Sequence, residues 1–122
     1  MDVAALLARM AEQRAHWVAL GGGLRLRYHR PPEVDMPAFA GGVTLDHAVR
    51  YACGWEGFTE AVLLGPAVGS ADPVPFATEL WDAWLRDHSE HLPTVTKALA
   101  DTITAHLAAR GGVAKNSQPS ST

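Results

Sequence analysis

The chain holds a single cysteine, Cys53. One thiol excludes an internal disulfide and fits a reducing compartment. No apolar run approaches the roughly 20 residues needed to cross a bilayer. A leader of the basic-then-apolar kind is not apparent either, because Asp2 opens the chain and Arg9, Glu12 and Arg14 break up the apolar residues after it. A cytoplasmic protein is the expectation. Strong charge of one sign is also missing. The formal balance is −3, which gives no global attraction to nucleic acid or anionic lipid. What remains is 122 residues, 48% of them hydrophobic, one domain's worth of chain with a core of modest size.

Periodicity divides that domain. Val3, Leu6, Leu7 and Met10 fall at helical spacing behind Asp2, a residue suited to cap the first turn. After Gly21-Gly22-Gly23, the run Leu24 to Arg30 alternates, with Leu24, Leu26 and Tyr28 on one face and Arg25, Arg27 and His29 on the other. Two short runs around a glycine turn read as a β-hairpin near 16–30, stopped by Pro31-Pro32. From Glu33 onward the pattern is helical. A short turn precedes Gly41-Gly42. Thr44 caps a helix reaching about Cys53, and Thr59 caps a short helix ended by Gly65-Pro66. An irregular loop spans Ala67–Pro75. Phe76, Leu80 and Trp84 then form an apolar stripe with Trp81 toward its edge, and Leu92, Val95, Leu99, Ile103 and Leu107 form another. The expected architecture is α+β: a single mostly helical domain over 1–112, four to six helices with one N-terminal β-hairpin, followed by a disordered tail over 113–122.

Candidate chemistry is thin. Asp87, His88, Glu90 and His91 invite a metal, but Pro93 places a helix junction there and no third histidine or cysteine stands at a recognised spacing. A solvated junction is the favoured reading, with no metal and no cofactor. Cys53 beside Gly54 reads as core. Ser70 lacks the second glycine of a nucleophile elbow, and the triple glycine lacks the Gly-Lys-Ser/Thr of a phosphate loop. Nothing assembles a nucleophile, a base and an orienting group, so an enzyme is not expected. Arg25, Arg27 and Arg30 concentrate three of the ten basic residues. They suit either phosphate tracking or a charged edge strand, and the edge strand is favoured. Four tryptophans are many for this length. Trp81, Trp84 and Leu85 crowd one helix, which makes them the candidate partner-binding residues and leaves self-association open.

Two strings go further. Gly54-Trp-Glu-Gly-Phe-Thr-Glu60 and the segment Val74–Leu85, with Gly41-Gly42-Val43, Asp46, Leu64-Gly65 and Ala114–Ser117, resemble a family of small phage and prophage proteins described as tail assembly chaperones. The similarity covers roughly Trp17 to Arg110 and departs from the usual pattern over Arg86–Pro93. The resemblance implies a non-enzymatic assembly factor that binds the tape-measure protein or tail-tube subunits in a bacterial host cell. The alternatives are a structural head or tail component of the virion, and a nucleic-acid-binding regulator using the basic hairpin.

Overall fold

The computed structural model describes residues 1–117, and side chains through Gly111. Helix α1 (Val3–Gln13) begins at Asp2, whose carboxylate accepts from the Ala4 amide at 3.0 Å. Strands β1 (Ala15–Gly21) and β2 (Leu24–His29) come next as the expected hairpin. Its loop is Gly22-Gly23, both at positive φ, the backbone that matches the twist of paired strands. A 3-10 turn (Glu33–Phe39) leads to α2 (Leu45–Arg50). Thr44 caps it in a reciprocal pair with His47, its hydroxyl accepting from the His47 amide while its own amide donates to His47 Nδ1.

The structure departs from the sequence reading next. The helix expected to run to Cys53 stops at Arg50, and β3 (Ala52–Glu56) takes its place. β3 pairs antiparallel with β2, so the hairpin becomes a three-stranded sheet of order β1-β2-β3 with β2 at its centre. Helix α3 (Glu60–Leu64) is capped by Thr59, which accepts from Val62 at 3.2 Å, and it ends at Gly65 as read. Helix α4 (Thr78–Asp87), a 3-10 turn (Ser89–His91) and the long α5 (Leu92–Ser117) complete the described chain. Helix α5 passes through Gly111-Gly112, where a stop was expected. Glycine in a helix costs about 1 kcal/mol but ends it only by taking the left-handed backbone, and Gly111 stays at negative φ. The expected disordered tail therefore begins inside this helix, and its last part, 118–122, lies outside the described residues.

Helices α2, α4 and α5 close over one face of the sheet. Leu20, Leu26, Ala52, Ala48, Phe58, Trp81, Trp84, Leu85 and Val95 form the core. On α5 the stripe Val95, Leu99 and Ile103 is buried as read, whereas Leu107 lies beyond the core and is exposed. Among the described residues no helix is long and apolar enough to cross a membrane.

Candidate functional site

Trp81, Trp84 and Leu85 are 0%, 6% and 1% exposed. They cannot anchor a partner, which corrects their assignment as a partner-binding surface. The buried stripe of α4 runs through Trp81, Trp84 and Leu85, and Leu80 is outside it and exposed. The expected stripe was thus displaced by one residue. Phe76 misled it, because it precedes the helix and packs edge-on against Trp55 at 5.3 Å instead.

An aromatic stack occupies this part of the core. Phe58 lies parallel to Trp55 at 4.2 Å and edge-on to Trp84 at 5.0 Å, geometries that aromatic quadrupoles favour. Trp81 Nε1 donates to the Ala48 carbonyl at 3.1 Å, and Trp55 Nε1 to the Val74 carbonyl at 2.8 Å. His88 and His91 are not a solvated junction: both rings are partly buried and stack on Trp84, at 4.3 and 5.1 Å. Among the described residues no three His, Cys, Asp or Glu side chains gather as a metal requires.

The Gly54–Glu60 string is absorbed by the same architecture. Gly57 turns the chain at positive φ against the Gly23 carbonyl, Phe58 enters the core, and Thr59 caps α3. The Glu60 carboxylate accepts the Ser70 hydroxyl at 2.9 Å and so ties down the long loop.

On the outer face of the sheet the arginines are engaged. Arg25 pairs with Glu56 at 2.7 Å and lies 4.3 Å over the Trp17 ring, and Arg27 pairs with Glu12. Arg30 does not share their face. Two residues beyond Tyr28 in an unbroken alternation, it stands on the helix-covered side. The contiguous three-arginine face that phosphate tracking would need does not form, and the favoured charged edge strand is corrected too, because β2 is the central strand of the sheet. Cys53 is part-buried; burial pushes its thiol up, with Arg27 opposing and Glu12 adding to the rise.

His29 carries a pH dependence on this face. Burial, then Arg27 and Arg14, lower its pKa below the ordinary 6.5, with Glu12 opposing. The unfolded chain then binds the proton first, so stability is full above 6.5 and is lost as pH falls through 6.5 toward the folded value. The expected result is a melting temperature that drops on acidification through this window more steeply in the parent than in His29→Gln. Parallel curves for the two proteins would show that His29 contributes nothing to the slope.

The surface that most needs a cover is α1. None of its residues is buried. Val3, Leu7 and Met10 are each more than half exposed and Leu6 more than a third, and together they make one stripe at i, i+3, i+4 and i+7. The helix holds its shape locally, through the Asp2 cap and a composition of Ala, Leu, Met, Arg, Gln and Glu with the single exception of Val3. Sequence periodicity finds this stripe but not its exposure. A second apolar opening, about 200 Å³, separates α3 from α4, where Leu64 and Leu80 flank Trp84. A larger cavity, of about 720 Å³, lies between the end of α1, the open end of the hairpin and α5. Comparison of the chain with protein-family models, with curated proteins and with solved structures finds no match.

Proposed function

We propose that the chain is a non-enzymatic assembly factor of the phage or prophage tail type, working in the bacterial cytoplasm and binding a helical segment of the tape-measure protein along α1. The observation that carries this reading is the uncovered stripe Val3, Leu6, Leu7 and Met10 on a helix none of whose residues is buried. An isolated helix of 11 residues is marginal in water, and an amphipathic stripe at this spacing is the geometry by which helices pack on helices. The resemblance of Gly54–Leu85 to tail assembly chaperones supplies the kind of partner.

Co-expression with the tape-measure product of the same gene cluster tests it. The two proteins should co-purify, and Leu7→Glu with Met10→Glu should weaken binding by at least about 30-fold, the scale of a lost hot spot. The melting temperature of this variant should stay near that of the parent, since neither side chain is buried. Two soluble proteins that ignore each other would overturn the reading, as would binding indifferent to the double substitution. Mass spectrometry of purified virions separates it from a structural component, which would be present at fixed copy number.

A further inference from the structure

We infer that the cavity between α1, the hairpin and α5 is a binding site for the phosphate group of a small molecule, held by Arg14 and Arg30. This goes beyond the assembly role and does not depend on it. The site is set by backbone pairing. The Arg30 amide donates to the Arg14 carbonyl at 2.7 Å, one step beyond the Ala15–His29 pair. The two arginines are therefore direct cross-strand neighbours, and both line the cavity. Like charges placed opposite each other on paired strands are destabilising.

Elsewhere the chain relieves such charge. Arg25, Arg27, Arg86 and Arg110 each have a carboxylate within reach. Arg14 and Arg30 are partly buried, yet neither has a carboxylate partner among the described residues. The Arg30 guanidinium donates instead to the Pro31 carbonyl at 2.9 Å. The one acid lining the cavity, Asp101, is committed to Lys97 at 2.6 Å. Arg9 and Arg50 also lack carboxylates among the described residues, but both are exposed.

The rest of the wall suits an anion with a body attached. His16, stacked on Tyr28 at 5.7 Å, adds an imidazole, Met10 and Ala105 add apolar surface, and His106 turns its Nε2 to the Glu33 carboxylate at 3.3 Å, which it shares with Arg110. The floor beneath is rigid, because Tyr28 Oη bonds Thr102 Oγ1 at 2.7 Å and Thr102 donates to the Ala98 carbonyl at 2.8 Å. Paired guanidinium forks match phosphate oxygens bidentately. A volume of about 720 Å³ is in the range of small-molecule sites and far exceeds a lone phosphate.

The test is a titration of the isotopically labelled full chain, following backbone amides by NMR, with inorganic phosphate, pyrophosphate and adenosine diphosphate as probes. Saturable shifts centred on Arg14, His16 and Arg30 are expected below about 10 mM of at least one probe. Tighter binding of the nucleotide would assign an organic phosphate, and equal binding of pyrophosphate a free one. Arg14→Gln with Arg30→Gln should weaken binding by at least about tenfold. The same variant should melt no lower than the parent in phosphate-free buffer, because it removes a repulsion. Absence of saturable shifts, shifts untouched by the double substitution, or a variant that melts far below the parent would each overturn the assignment. So would binding of an oligonucleotide without binding of any of the three probes.

Discussion

Trp81→Ala should cost about 3–5 kcal/mol, the range for truncating a large aromatic in a packed core, and that alone is enough to unfold much of a domain of this size. Trp81 has no solvent exposure, lies 6.0 Å from the Trp84 ring and edge-on to Phe58 at 6.4 Å, and gives its indole proton to Ala48. Truncation opens a cavity and also leaves the Ala48 carbonyl buried without its donor, a further loss of about 1–3 kcal/mol where water cannot enter. Trp84→Ala should be the milder of the two. The Trp84 indole N–H is already buried without a partner, so its removal relieves a polar burial that offsets part of the lost packing. Leu80→Ala, on the exposed side of the same helix, should stay within about 0.5 kcal/mol. Urea melts of the three variants check the order, and a Trp84 variant weaker than the Trp81 one would contradict it.

That order reverses the one that helical spacing suggests. Periodicity places Trp81 and Trp84 on one side of a helix, but the centre of the stripe depends on the elements that face it. Phe76 looks like the first member of an i, i+4, i+8 series, although the helix begins only at Thr78. Signals carried by neighbouring residues were legible. The Thr44 and Thr59 caps, the Gly65-Pro66 stop, the glycine turn and the buried face of Leu24, Leu26 and Tyr28 all stand where the sequence places them. Strand β3 was not legible, because Ala52–Glu56 is an edge segment whose conformation comes from pairing with β2 some 30 residues away. The α1 stripe was visible as a pattern, yet a pattern alone does not reveal whether another element covers it.

The arginine pair was hidden by one irregularity. Counting back from a two-residue turn between Gly21 and Leu24 would set Arg14 opposite Pro31. The register shift between Ala19 and Gly21 moves the pairing by one residue, giving Ala15 opposite His29 and so Arg14 opposite Arg30. A bulge of this kind sends every subsequent side chain to the other face of its strand. Gly21, at φ +90, is the one local hint of it, and it merges with the glycines of the turn. The site is completed by α5, some 70 residues further along the chain, which sequence spacing cannot bring near.

Gly57→Ala should be strongly damaging for so small a substitution. Gly57 sits at φ +84, and a Cβ there would stand 2.3 Å from the Gly23 carbonyl oxygen and 3.1 Å from its carbon. The obstacle is backbone in the hairpin turn, so no side chain can rotate out of the way. Either β3 pulls away from β2 at Arg25–Glu56, or Phe58 is drawn out of the aromatic stack. The left-handed backbone alone costs a residue with a Cβ about 1–2 kcal/mol, and the forced backbone shift should bring the total to about 3 kcal/mol or more. Gly22→Ala is the control that isolates the second contribution: its φ is +60, also positive, but nothing lies within 4 Å of its would-be Cβ. It should lose only the conformational part. Thermal melts of the two variants side by side decide the matter. Equal losses would mean that the close approach of Gly57 to the hairpin turn is not what glycine is needed for there, whereas a gap of about 2 kcal/mol would identify that contact as the joint fixing the aromatic core against the sheet.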